Sequence, residues 1–169
     1  YQCATEQPVV DCAGGRVAVI LGKLAGISSA GRQFSPGIGA EIVVDAGQRV
    51  CLELQQDFEY GALLASGDAV LLGTPVSPNT LYYLGAGRNE IAIASEMGAR
   101  LILLGGTPFA ETILMWWNFV ARSAEEIAKA RSSWEDLEVS RAVFGDVRQY
   151  KGPRLPAPAF LGRPISNSH

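Results

Sequence analysis

The sequence predicts a mostly β protein, an antiparallel barrel or sandwich, followed by a C-terminal helix and an extended tail. Three observations carry this. From residue 8 to about 106, short apolar runs are broken by Gly, Pro, Asn and Asp, and helical spacing is absent, which is the rhythm of antiparallel strands and turns. Ser123-Ala-Glu-Glu126 reads as a capping box opening a helix. Residues 151–169 hold four of the nine prolines, three basic residues and no acid, so they read as an extended arm without a core of its own.

In order along the chain, RVAVIL (16–21) places Val17, Val19 and Leu21 on one sheet face, because side chains alternate with a period of two. Residues 41–44 form the next run. In RVCLEL (49–54), Val50, Leu52 and Leu54 share a face, with Glu53 opposite. Further strands are predicted at 61–64, 69–72, 81–84, 90–94 and 100–104. The total of about eight is enough to close a small barrel or pair two sheets. Turns fall at Ala46-Gly47, Ser66-Gly67-Asp68, 73–79 and 85–87. A helix over about 123–138 spaces Ile127, Ala130, Trp134 and Leu137 on one buried stripe. The expected organisation is one domain over 1–150 and an arm over 151–169, lying as a strap on this domain or a neighbour.

At 169 residues and 48% hydrophobic content, the chain can bury a genuine core. A net charge of -3 with 18% charged residues gives no basic field for phosphates, so direct nucleic-acid binding is not expected. No run approaches a membrane-helix length, so no membrane role is expected. The first residue is Tyr1 rather than Met, and no targeting segment is visible. Cys3, Cys12 and Cys51 are odd in number and lack a C-x-x-C pairing, which argues against a disulfide framework or zinc cluster and fits a reducing cytoplasm. Cys51, in an alternating apolar run, reads as a small buried hydrophobe.

The one histidine is the last residue, His169, so histidine-based metal sites and nucleophile-histidine triads have no imidazole to use. Gly85-x-Gly87 lacks the third glycine of a dinucleotide fingerprint and precedes a strand, and no phosphate-binding G-x-x-x-x-G-K-[ST] exists. Met115, Trp116, Trp117 and Phe119 form the densest aromatic cluster, read as a hydrophobic cover between barrel and helix, with the lining of a pocket or an interface as the alternative. Glu53, Gln55 and Glu59 lie where a small barrel would present inward-facing polar residues. Two carboxylates there could divide acid and base duties if burial separated their pKa values, while solvated strand-end carboxylates are the commoner case.

GGTPFAETILMWWNFV (105–120), followed by Ser123-Ala-Glu-Glu-Ile127, resembles the C-terminal domain of the pirin family, with weaker similarity over 8–150. Two departures stand out: Trp117-Asn118 replaces the family's Gly-Pro, and Phe109-Ala110 its Leu-Gly. The resemblance implies a cupin (RmlC-like) barrel or sandwich, the second of two in tandem, with Tyr1-Gln2 at the linker between halves. It implies iron in the N-terminal half, held by histidines and a glutamate, and no cofactor in this chain. The cupin pattern G-x5-H-x-H-x3-E, laid on Gly47, puts Glu53 and Gln55 at the histidine positions and Glu59 at the glutamate position. Glutamine is a poor transition-metal ligand. Family members are similar to quercetin 2,3-dioxygenases in some organisms and to redox-sensitive transcription co-regulators in others. The expected role is that of a metal-free half supporting the N-terminal half, in the same polypeptide or as a cleaved partner, with other protein partners open. The alternatives are part of a quercetin 2,3-dioxygenase-like enzyme, or a flavonoid-binding barrel.

Overall fold

The structure, a computed structural model, describes residues 7–147 and 149–160, and the backbone of 165–166. Tyr1, Gln2, Cys3 and His169 lie outside the described residues, as does most of the arm after Phe160. The chain divides into two compact units, residues 1–108 and 109–169. The division falls inside the span read from sequence as one domain, just after Pro108, which has no N–H with which to continue a strand ladder.

In the first unit, the described residues form β1 (Val9–Cys12), β2 (Gly15–Leu21), β3 (Lys23–Leu24), β4 (Ile27–Ser28), β5 (Gly37–Val44) and β6 (Gln48–Glu53). These are followed by β7 (Glu59–Gly67), β8 (Ala69–Leu71), β9 (Thr74–Val76), β10 (Leu81–Gly85), β11 (Glu90–Ser95) and β12 (Ala99–Gly106). A six-stranded sheet runs β1-β2-β5-β12-β7-β10 and a four-stranded one β6-β11-β8-β9, all antiparallel, with β3-β4 a separate hairpin. All eight predicted runs are strands. β9 lies in the stretch 73–79 read as a turn. Leu72 and Gly73, with φ +51° and +83°, close a two-residue hairpin between β8 and β9, and Ala25 and Gly26 do the same between β3 and β4. Such left-handed pairs are the hairpin turn whose usual signal is Asn-Gly, absent here.

The inward faces of the two larger sheets form one core, so the unit is an open sandwich rather than a closed barrel. Val17, Ile42, Leu64, Leu101 and Leu103 from the larger sheet and Val50, Ile91 and Ile93 from the smaller are essentially without solvent contact. Each such side chain contributes about 1.5–3 kcal/mol relative to exposure. Two positions depart from the sequence reading. Leu21 is turned outward by a bulge between Val19 and Leu21. Cys51 is exposed, because Val50 and Leu52 point inward and put it on the outer face with Arg49 and Glu53.

The turn between β11 and β12, which carries the chain from the smaller sheet to the larger, is held by Asp68, in the tight turn between β7 and β8. Its carboxylate accepts hydrogen bonds from the Ser95 hydroxyl (3.0 Å), Glu96 N–H (3.0 Å) and Met97 N–H (2.8 Å). Ser95 Oγ accepts in turn from Gly98 N–H at 2.8 Å. The two backbone donors hold the Asp68 pKa below its ordinary 3.8.

In the second unit, β13 (Leu114–Trp116) and β14 (Phe119–Ala121) form a hairpin, α1 (Ala124–Glu135) and α2 (Leu137–Phe144) follow, and β15 (Ile165–Ser166) pairs with β13. The hairpin loop is Trp117-Asn118, with Trp117 at φ +51°, a conformation that favours glycine. Its indole packs edge-on against Phe119 (5.4 Å between centroids) and Trp134 (5.5 Å), contacts that offset the strain. Ser123 caps α1 by accepting from Glu126 N–H, and the Glu126 carboxylate accepts from Arg122 N–H, one residue earlier than a capping box requires. The single helix expected over 123–138 is broken at Asp136, whose carboxylate accepts from the N–H groups of Glu138 and Val139 and starts a second helix. Ile127 is buried, but Leu137, beyond the break, is 57% exposed.

Residues 154–160 of the arm lie on α1, α2 and β13. Trp134 Nε1 donates to Leu155 O (2.9 Å), Arg131 Nε to Pro158 O (2.8 Å) and Ala157 N–H to the Glu135 carboxylate (2.7 Å). The Arg154 guanidinium stacks over the Trp134 ring at 4.5 Å, and Phe160 meets Trp116 edge-on at 5.1 Å.

Two outcomes follow. In the folded state Asp68 stays ionised to lower pH than in the unfolded chain, so its stabilisation is fully present above about pH 4 and disappears as pH falls through the depressed native value. Asp68→Ala therefore lowers Tm at pH 7, and thermal melts across the acid range show the gap to the parent closing as pH drops. Trp134→Ala releases the arm, and limited trypsin digestion cuts after Lys151 and Arg154 several-fold faster while residues 8–106 are cut no faster.

Candidate functional site

β6 delivers residues 48–53 to one end of the sandwich, and the chain turns through 54–58 before re-entering as β7. Leu54 N–H donates to Asn89 O (2.8 Å), Gly87 N–H to Gln56 O (3.0 Å) and Phe58 N–H to Gln55 O (3.2 Å), which fixes this turn. Glu53 and Gln55 line an open cleft of about 560 Å³, shared with Cys12, Lys23, Cys51 and Tyr60. Glu59 is not in it. Tyr60 points inward, so Glu59, the preceding residue, faces the other side of β7, where its carboxylate accepts the Tyr83 hydroxyl at 2.9 Å. The structure thus brings together Glu53 and Gln55 and leaves Glu59 on the outer face of the six-stranded sheet. The paired-carboxylate arrangement needs Glu53 and Glu59 on one cleft, which this geometry does not provide.

The space behind Glu53 and Gln55 is occupied by side chains. Phe58 and Tyr60 belong to the buried core, with ring centroids 6.1 Å apart. The Tyr60 hydroxyl accepts from Gln55 N–H (2.9 Å) and donates to Gln55 O (3.2 Å), closing the turn on itself. Burial is the chief cause raising the Tyr60 pKa, so the phenol stays protonated and both bonds persist at neutral pH. The ring lies so close to Gly105 that a Cβ there would collide with it.

These donors do not fit an iron site. Glu53 is exposed, Gln55 is a weak donor and Glu59 faces elsewhere. Cys12 adds little, because burial first, then Asp11 and Asp45, push its thiol pKa up and keep it protonated. Among the described residues, no three His, Cys, Asp or Glu side chains gather where they could hold a metal. Sequence reasoning missed Cys12, Lys23 and Tyr60 as cleft residues. The inward parity of Tyr60 with Ala62 and Leu64 was a signal for one of them.

An open antiparallel sandwich of six and four strands, with its sequence motif at the mouth between β6 and β7, defines a cupin domain. The profile of the pirin C-terminal cupin domain matches residues 39–140, and the chain belongs to that family. A Pseudomonas aeruginosa protein provisionally named a quercetin 2,3-dioxygenase is 41% identical over 140 residues, which are 83% of this chain and 44% of that protein. A crystal structure of a quercetin 2,3-dioxygenase from Acinetobacter baumannii superposes with a TM-score of 0.85 at 31% identity, covering 96% of this chain and 54% of that one. Another from the same organism, at 22% identity and TM-score 0.74, shares the fold. The chain spans about half the length of the curated relatives it matches.

Tyr60→Phe tests the mouth. Losing the hydroxyl removes both bonds to Gln55 and costs about 1–2 kcal/mol, because the Gln55 N–H loses its partner while the ring stays packed. Urea unfolding of the variant shows the loss as a lower midpoint with an unchanged slope.

Proposed function

We propose that this chain is the metal-free C-terminal cupin half of a pirin-like protein, acting as a structural and interaction module for an N-terminal half that holds iron. One observation carries the reading: of the three positions a cupin uses for its ligands, Glu59 faces away from the cleft that Glu53 and Gln55 line, and the neighbouring Phe58 and Tyr60 belong to the buried core. A domain built this way offers a rigid scaffold rather than a reaction centre. The half-length match and the names of the Pseudomonas and Acinetobacter relatives point to flavonol oxygenation as the activity of the two-half protein, with the oxygen chemistry in the other half. A cytoplasmic location suits its free thiols. The open cleft of about 560 Å³ favours a second reading, in which this half contributes a flavonoid-binding surface without catalysis.

Elemental analysis separates these readings from a chain that is itself a metalloenzyme. The isolated chain is expected to carry far less than one iron per molecule, whereas the two-half protein carries one. In the two-half protein, Glu53→Gln and Gln55→Leu leave iron content and quercetin-dependent oxygen uptake unchanged. Stoichiometric iron in the isolated chain, or loss of iron in these variants, overturns the proposal. Saturable flavonol binding to the isolated chain, weakened by the same variants, establishes the second reading.

A further inference from the structure

Residues 152–158 (GPRLPAP) are extended by covalent sterics alone. Three are prolines, whose rings fix φ at about −65°, and Gly152, Leu155 and Ala157 each precede a proline, which disfavours the helical region. Only Arg154 is neither. The burial of the arm follows a period of three. Arg154, Ala157 and Phe160 are turned toward the second unit, Ala157 to 8% exposure, while Leu155, Pro156, Pro158 and Ala159 face water. The carbonyls that the unit holds, Leu155 O and Pro158 O, are also three residues apart. Three residues per turn is the repeat of the polyproline II helix, which has no internal hydrogen bonds and leaves its backbone to be read from outside.

The receiving face is built without the arm. Arg131, Trp134 and Glu135 stand three and four residues apart on α1, so they share one side of the helix. Trp134 packs edge-on against Trp117 (5.5 Å between centroids) and Phe144 (5.4 Å), which fix its ring from within the unit. Trp134 Nε1 and Arg131 Nε donate to the two carbonyls, and the Glu135 carboxylate accepts from Ala157 N–H. Arg154 is held twice: its guanidinium lies over the Trp134 ring and donates to the Ser140 hydroxyl on α2 at 2.7 Å. Phe160 ends the contact on Trp116. Aromatic walls and an indole N–H that take the carbonyls of a preformed extended chain are the means by which proline-rich peptides are recognised, and such a chain loses little entropy on docking.

We infer that this face of α1 and α2 is a recognition groove for an extended proline-rich segment of a partner protein, one that carries an arginine, a small residue three positions on and an aromatic residue three beyond that. Residues 154–160 fill it in cis as a competitor. The backbone contacts are indifferent to which chain supplies the carbonyls, and the side chains turned to the groove are those of Arg154, Ala157 and Phe160, so a segment with the same spacing makes the same bonds. The bonds from Trp134 and Arg131 lie at the surface, where water can replace them and let the arm leave. This assignment goes beyond the proposed function, giving a partner chemistry to the second unit that does not depend on where iron is held.

The probe is a fluorescein-labelled peptide of residues 152–160 (GPRLPAPAF), with binding read by fluorescence anisotropy. It binds the full parent chain weakly, because the arm competes. In the full chain carrying Arg154→Ala and Phe160→Ala the arm no longer competes, and the apparent Kd falls about ten-fold, as for a groove otherwise filled about nine-tenths of the time. Adding Arg131→Ala or Glu135→Ala to that chain weakens the peptide again. Both side chains lie outside the aromatic cluster, and thermal melts matching the parent show that the variants fold. A peptide with alanine in place of its arginine and phenylalanine binds several-fold more weakly. Equal binding of the peptide to the parent and to the arm variant, or of the two peptides to the arm variant, overturns the inference. So does a dimer of the parent chain that Arg154→Ala and Phe160→Ala abolish, since the segment recognised in trans is then the arm of a second copy. None of these measurements reads iron content, so the proposed function stands or falls separately.

Discussion

The first unit depends on β12. It is the one strand of the large sheet paired along its full length on both sides, with β5 through Ala99↔Val44 to Gly106↔Gly37 and with β7 from Gly67 to Glu59. Its inward side chains, Ala99, Leu101 and Leu103, lie in the centre of the core. A one-residue slip of this strand would turn those side chains to the outside and bring Arg100 into the interior, so burial and hydrogen bonding fix the same register. The Asp68 clamp adds a third constraint, tying the turn that feeds β12 to the start of β8.

The site inherits its geometry from this register. Once β7 is aligned with β12, Tyr60 must face the core and lie on Gly105, its register partner, and Glu59 must face outward to Tyr83. The separation of Glu59 from Glu53 and Gln55 is therefore a property of sheet parity in β7. The same parity turns Leu104, Ile102 and Leu63 outward, alongside Arg100, Glu41 and Glu59.

Much of this was legible from alternation alone. The eight runs, the inward set Val50, Leu52 and Leu54, and the outward Glu53 follow from period two. The same rule places Cys51 outside with Glu53, against the general tendency of a free cysteine to be buried. What local pattern could not show was the bulge that turns Leu21 outward, the hairpins at Ala25-Gly26 and Leu72-Gly73, whose first residues are unusual in that conformation, and the break at Asp136, where a capping carboxylate interrupts an otherwise continuous apolar spacing. The family resemblance located the ligand positions but not their directions, which depend on pairings between residues far apart in sequence.

The contact of Tyr60 with both Gln55 and Gly105 bears on how such a domain can change over evolutionary time. Histidines at positions 53 and 55, beside the glutamate already at 59, would complete a ligand string without making a centre, since Glu59 faces away from the cleft that residues 53 and 55 line. A three-residue centre at this mouth would require β7 to shift parity as well, and that shift would withdraw the Tyr60 hydroxyl from Gln55. One side chain thus serves two purposes at the mouth of the cleft, closing the 54–58 turn through its hydroxyl and covering Gly105 with its ring, so a change there is felt in both places.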